Sequence, residues 1–244
     1  MALWGSGQIS LNDLKNEFGG SASPSMADYY RGGSYVPNTS YNQNVPTSGT
    51  MNLTQFYGAS SVVPGSASWN SPTSGNWGVP KYNTITVQVW GAGAAGNGIN
   101  NNAAGAGGGS QGGPVTAAGG ASGGGQGAGA NGLYTGGNGA AGSNGGGGGT
   151  YGPATYYGGS AANGGNGGWP GGGGGGIGGR SGGGGVYWAG GNGGGGGGYA
   201  SGTYYNGGPT TWWIAVGASS GQMSDTVGGY SGAGASGRVY ISWS

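Results

Sequence analysis

Residues 84–98 read TITVQVWGAGAAGNG, and the change of composition halfway along that stretch decides the fold. The first half alternates: Ile85, Val87 and Val89 fall on one side, Thr84, Thr86, Gln88 and Trp90 on the other, the pattern of a half-buried strand. The second half offers no side chain larger than asparagine, and glycine loses more backbone freedom on ordering than any other residue. Downstream, GRVYISW (237–243) repeats the alternation with Val239, Ile241 and Trp243 on one face, and TWWIAVGA (211–218) reads as a third strand. Weaker strands fall at 66–69 and 76–79, with the turn-forming SPTSG between them. The expected fold is mostly β and irregular. A small antiparallel β scaffold, contributed by 61–91 and 211–244, clamps a glycine-rich insertion at 92–210.

Something must order that insertion. Glycine accounts for 75 of 244 residues and proline for 10, together over a third of the chain, a composition for which disorder is the default. Collagen fails, because it needs glycine at every third position among prolines, whereas here glycine comes in runs such as GGWPGGGGGGIGGRSGGGG (167–185). The local pattern is G-G-x: Asn163, Asn166 and Trp169 are three apart with GG between them, as are Ile177 and Arg180. Polyproline-II geometry also has three residues per turn, so the x side chains share one edge and glycines fill the other two. Two bare edges let neighbouring helices meet at backbone distance and hydrogen-bond to one another. Ordering a residue costs about 1–2 kcal/mol, and an interhelix hydrogen bond returns roughly 0.5–1.5 kcal/mol. A lone helix therefore loses, while a clamped two-dimensional lattice breaks even. The expectation is a polyglycine-II helix bundle with its non-glycine residues outside. Turns are expected at INNNAA (99–104), GPVTAA (113–118), NGLYT (131–135), TYGPATYY (150–157) and SGTYYNGGP (201–209). The other reading of the insertion is a disordered spacer.

Composition excludes several functions. Five Lys or Arg, four Asp or Glu, no His and no Cys leave charged residues at 4%, against about a quarter in an ordinary domain. Lys15, Arg31, Lys81, Arg180 and Arg238 are scattered singly, not clustered as a nucleic-acid footprint requires. No window is apolar for long enough to span a membrane, and the start, MALWGSGQIS, lacks the pattern of a signal peptide. Without Cys there is no disulfide framework or thiolate zinc site. Asp13, Glu17 and Asp28 fall at expected helix starts, where carboxylates cap amides, and Asp225 has no acidic partner for acid–base hydrolysis. The absence of acid from 92–210 removes the glycine–aspartate calcium repeat. GAGAAG after the 84–90 strand lacks the helix and downstream acid of a dinucleotide fingerprint. Neither catalysis, cofactor nor metal is expected.

Residues 1–60 form a separate module with a degenerate repeat: SLNDL (10–14), SMADY (25–29) and NLTQF (52–56), the first and third preceded by SGQI and SGTM. Ser10 with Asp13 and Ser25 with Asp28 fit a capping box, with Asp replacing Glu. Three very short helices are predicted, the first over 11–18 and ended by Gly19 and Gly20. So thin a core is marginal alone, so the apolar positions Leu11, Leu14, Phe18, Met26, Tyr29, Leu53 and Phe56 are expected to bury partly against a partner. The plainer reading is a small capping subdomain.

The motifs ISLNDLKNEFGG (9–20), ADYYRGGSYVP (27–37) and TSGTMNLTQFYG (47–58) resemble a short pattern near the ends of many tailed-bacteriophage virion proteins. The stretch VPKYNTITVQVWGAGAAGNG (79–98), closing with SGRVYISW (236–243), resembles the glycine-rich domain of phage tail fibres. The insertion is similar to the polyglycine-II sandwich of the adhesins of T-even-like phages, which do not share the N-terminal module in this form. The resemblance implies a tail-fibre or tail-tip adhesin, assembled in the bacterial cytoplasm and carried in several copies on the virion exterior. Residues 1–60 would join another virion protein, and loops would bind a bacterial surface receptor, a saccharide or an outer-membrane protein. The receptor-binding candidates are the aromatics that interrupt the glycine runs: Tyr151, Tyr156, Tyr157, Trp169, Tyr187, Trp188, Tyr199, Tyr204 and Tyr205. Neutral loops rich in Tyr and Asn suit recognition, as they do in antibody paratopes. Two alternatives stand beside this: rings that only shield the bundle ends, and a non-adhesive structural or decoration protein of tail, collar or capsid. An ice-binding bundle would need a flat face of repeated small residues, which these bulky interruptions do not offer.

Overall fold

The computed structural model describes residues 3–23, 25–98, 104–122, 164–174, 180–181, 187–188, 191–224 and 229–244. Its strands are β1 (Gly65–Trp69), β2 (Thr73–Val79), β3 (Tyr82–Trp90), β4 (Ser110–Gly112), β5 (Val115–Ala117), β6 (Arg180–Ser181), β7 (Tyr187–Trp188), β8 (Tyr199–Gly207), β9 (Thr210–Val216) and β10 (Arg238–Trp243). The fold is mostly β. There are two four-stranded antiparallel sheets, ordered β1-β10-β3-β8 and β2-β9-β4-β5, and a separate two-stranded sheet, β6-β7.

The alternation read at 84–90 makes the larger sheets one sandwich. Antiparallel register sets Val239 opposite Val89, Ile241 opposite Val87 and Trp243 opposite Ile85, so the apolar set of β3 and that of β10 share a face. Ile85, Val87, Val89, Val239 and Ile241 are fully buried against Val79, Val115, Ile214 and Val216 of the other sheet. Each such side chain contributes about 1.5–3 kcal/mol. Gly112 in β4 lets the sheets close: a Cβ there would lie 2.9 Å from Val239 Cγ1 and 3.0 Å from Val87 Cγ1.

The ends of β3, β5 and β9 and the starts of β4, β8 and β10, which join the glycine segments, lie at one end of this sandwich. Trp90 is opposite both Arg238 and Tyr199. In the other sheet Gln111 faces Ala215 and Ser110 faces Ala117, and the short 70–72 link between Trp69 and Thr73 brings the two sheets' ends together. Residues 91–98 continue from β3 as the most buried segment. Their hydrogen bonds step in threes. Gly91, Ala94 and Asn97 N–H donate to the carbonyls of Gly198, Gly195 and Asn192 at 2.9, 2.9 and 2.7 Å. Gly93 and Gly96 donate to Ala235 and Gly232 at 2.8 and 3.0 Å, and Ala92 to Gly108 at 2.9 Å. The Ala95 N–H donates to Ser220 Oγ at 2.5 Å. Residues 164–169 run in beside 229–237, with Gly164 and Gly167 donating to Tyr230 and Ala233, and the chain turns at Trp169 and Pro170. It then leads out again, Gly174 donating to Ala94. None of these segments belongs to a strand.

Three expectations are corrected. Residues 201–207, read as a turn, are the body of β8, and 115–117, also read as a turn, form β5 after a true turn at Gly113 and Pro114. The scaffold therefore takes strands from within 92–210. Nor are the non-glycine residues confined to the outside, because Ala92, Ala94 and Ala95 are fully buried. At Gly91 and Gly93, by contrast, a Cβ would fall 1.9 Å from Ala118 O and 2.1 Å from Gly172 O. Methyls fit between the contact points and not on them.

The N-terminal module has α1 (Leu11–Phe18), as predicted, and short 3-10 helices Met26–Tyr29, Ser40–Asn42 and Leu53–Phe56. Ser40–Asn42 was not foreseen. Ser10 with Asp13, Ser25 with Asp28 and Asn52 with Gln55 each form a complete capping box. Leu14, Tyr29 and Phe56 are fully buried and Phe18 nearly so, in a core shared with Ile9, Val36, Val45 and Ala59. Met26 and Leu53 pack against that core. Leu14, Phe18, Tyr29 and Phe56 were expected to bury partly against a partner and are instead covered by their own module, whereas Met26 and Leu53 stay partly open and Leu11 is exposed. Buried Asn42 supplies what the aliphatic core lacks: its Nδ2 donates to Pro37 O and Ser60 O, and its Oδ1 accepts from Ser60 N–H.

Candidate functional site

The residues that alternate away from the sandwich core build a broad face on the β1-β10-β3-β8 sheet. Register lays them out in rows. Ser68, Tyr240, Gln88 and Ser201 form one, and Ser66, Ser242, Thr86 and Thr203 the next. Thr86 Oγ1 and Thr203 Oγ1 are 3.3 Å apart across the sheet. Gln88 Nε2 donates to Tyr199 OH at 3.0 Å, and the Tyr199 and Trp90 rings meet at 5.1 Å. The face is hydroxyl- and amide-rich.

At the glycine end of this face stands Arg238. Its Cζ lies 5.3 Å from the Trp90 ring, 5.2 Å from Trp169 and 5.3 Å from Tyr240. The turn at 169–170 thus brings an indole from the glycine segments onto a cation of the sheet. The Arg238 Nε is buried with no hydrogen-bond partner, and among the described residues the side chain forms no ion pair. Attraction of a guanidinium to aromatic faces is worth about 0.5–2 kcal/mol per ring, so the contacts fix the group without neutralising it.

The expected receptor residues divide. Trp169 is 45% exposed and Tyr205 68% exposed, the latter on the outer face of β8. Tyr199 is half-buried in the Trp90 contact. Tyr204 points the other way and packs on the sandwich core with its ring 5.9 Å from Trp212, so it is a core residue and not a loop residue. Tyr187 and Trp188 lie in β7, and Tyr151, Tyr156 and Tyr157 lie outside the described residues. Sequence reasoning passed over Arg238, Tyr240, Gln88 and Trp90. The signal was their place at the outward positions of strands read only for their inward ones.

A second feature lies where the module meets the sandwich. A 280 Å³ pocket there is lined by Leu3, Trp4, Ile9, Asn16, Glu17 and Lys81 among others. Lys81 Nζ is 2.9 Å from Glu17 Oε2 and donates to Ser61 Oγ at 2.6 Å. Glu17 Oε1 accepts from the Ser61 N–H at 2.8 Å. Burial works to raise the Glu17 carboxyl, but the Ser61 N–H and the Lys81 ammonium outweigh it and hold the group below the usual glutamate range. Glu17, read as a helix-start carboxylate, stands instead in the last turn of α1, and its pairing with Lys81, the residue before β3, ties the module to the sandwich. No protein-family model, curated protein or solved structure matches this chain.

Proposed function

We propose that this chain is a virion protein of a tailed bacteriophage, a tail-fibre or tail-tip adhesin whose glycine segments form a polyglycine-II lattice. The three-residue stepping of hydrogen bonds from 91–97 to three different neighbours carries the reading. A β ladder would send them to at most two neighbours in alternation, whereas a three-residue turn rotates successive amides toward different partners. Backbone carbonyls occupying the Cβ positions of Gly93, Gly119, Gly173 and Gly197 support the same packing. A lattice of this kind is stiff and neutral. Recognition resides on loops held by such scaffolds, and several copies per virion turn weak contacts into avidity.

Tyr151, Tyr156 and Tyr157 belong to the sequence that joins two of these segments, and we assign them the receptor contact. Residues 1–60 attach the chain to another virion protein, with exposed Trp4 and Leu11 in place of the buried apolar positions. The test is a particle carrying Tyr151→Ser, Tyr156→Ser and Tyr157→Ser together. Particles that assemble normally but no longer adsorb to host cells are expected. Particles that adsorb as before would make the chain a decoration protein.

A further inference from the structure

The cluster around Arg238 lies on a surface that the loop reading does not use. The geometry points to a saccharide subsite on the outer face of the β1-β10-β3-β8 sheet that takes a carboxylate-bearing sugar, with Arg238 as the anion ligand and Trp169 as the stacking platform. The inference extends the receptor reading to a second surface, and rests on it only for where such a sugar would be met. Among the described residues Arg238 is the one charged side chain on this face, and it has neither an ion pair nor a hydrogen bond there. Three rings at 5.2–5.3 Å hold its guanidinium before any ligand arrives, which reduces the ordering cost of binding. The Arg238 Nε is buried among the rings, so the ligand contact falls to the two terminal nitrogens, whose paired N–H groups match a carboxylate as a bidentate acceptor.

Beside it, the Trp169 ring keeps nearly half its surface open, enough for the apolar face of a sugar ring. Next along the face come Tyr240 and Gln88, then Thr86, Thr203 and Ser242. Same-face rows on a strand are about 6.6 Å apart, close to the repeat of a sugar chain. The outer positions of β3, β8 and β10 carry no Leu, Ile, Val or Met; beside the aromatic rings, their hydroxyl and amide groups give sugar hydroxyls hydrogen-bond partners.

The full chain is titrated calorimetrically with tetragalacturonate, with the same tetramer as its methyl ester, and with inorganic phosphate; tetraglucuronate and tetramannuronate complete the set. At least one acid should bind about tenfold or more tighter than its ester, the worth of a charge-assisted contact. Phosphate should compete poorly. In Arg238→Gln the acid-to-ester ratio should collapse toward one with ester affinity retained, and in Trp169→Ala both should weaken alike. Four results would overturn the assignment: no acid binds, acid and ester bind equally, phosphate competes as well as sugar, or Arg238→Gln weakens acid and ester in the same proportion. The last would make Arg238 a latch between turn and sheet. Particle adsorption tests the loop tyrosines separately, so either reading can fail alone.

Discussion

A single methyl at Gly93 should do disproportionate damage. A Cβ there would lie 2.1 Å from Gly172 O, 2.5 Å from Gly172 C and 2.8 Å from Gly171 O, well inside the roughly 3.5–4.0 Å of ordinary non-bonded contact. Every obstructing atom is backbone, so no side chain can swing aside. The two segments are tied down on both sides: Gly93 donates to Ala235 at 2.8 Å, Gly171 to Ser236 at 3.0 Å and Gly174 to Ala94 at 2.9 Å. Overpacking costs about 1–3 kcal/mol. Parting the segments breaks at least two such bonds at about 1 kcal/mol each, giving about 3–5 kcal/mol for Gly93→Ala. At about 2–4 °C per kcal/mol for a chain of this size, the Tm should fall by roughly 6–20 °C, measured by circular dichroism. The control is Gly78→Ala in β2, where a Cβ meets nothing within 4 Å. Restricting the unfolded chain there should leave Tm unchanged or raise it by up to about 4 °C. If Gly93→Ala melts within about 2 °C of the parent, the neighbouring backbone is not where the hydrogen-bond pattern puts it, and the reasoning fails.

Two further outcomes follow from the sandwich and from the module joint. Tyr204→Ser should lower unfolding free energy by about 2–3 kcal/mol, less than loss of a fully buried aromatic because the ring is partly buried, while Tyr205→Ser stays within about 0.5 kcal/mol; denaturant titration separates them, and equal effects would mean the strand faces are misassigned. Glu17 titrates below the usual glutamate range in the folded chain, so its stabilisation is present above about pH 4.5 and disappears as pH falls through the lower folded value. The parent should therefore lose stability on acidification faster than Glu17→Gln, with the difference between the two denaturation curves shrinking as pH falls below the ordinary glutamate range; parallel curves would refute the linkage.

The elements legible in the sequence were those whose signal is local. Ser10 and Gly19 mark both ends of α1, and the alternation of β3 and β10 names its own core face. β8 was not legible because its inward positions are Ala200, Gly202 and Tyr204, so only one large side chain declares the buried face. Gly202 is small there because a Cβ would sit 2.9 Å from the Tyr204 hydroxyl and, across the sandwich, 3.0 Å from Val115 Cγ2. The second contact is a property of a neighbour distant in sequence. The apolar residues of the N-terminal repeat were recognised as a set, but periodicity cannot say whether their own module or a partner covers them. Asn42, bridging Pro37 to Ser60, is the kind of long-range polar tie that lets so short a module close its own core. At the candidate site, Trp169 was found as an interruption of glycine, whereas Arg238 reaches it only through the turn that folds back onto the sheet.

The central claim is that 91–97 is held by amides turning to a different neighbour at each step. The most direct measurement is the through-hydrogen-bond scalar coupling between amide nitrogen and carbonyl carbon in the deuterated, isotope-labelled chain. The account predicts couplings from Gly91, Ala94 and Asn97 to Gly198, Gly195 and Asn192, from Gly93 and Gly96 to Ala235 and Gly232, and from Ala92 to Gly108. Couplings from this stretch to one segment alone, in ladder order, or fast-exchanging amides with no couplings, would contradict it.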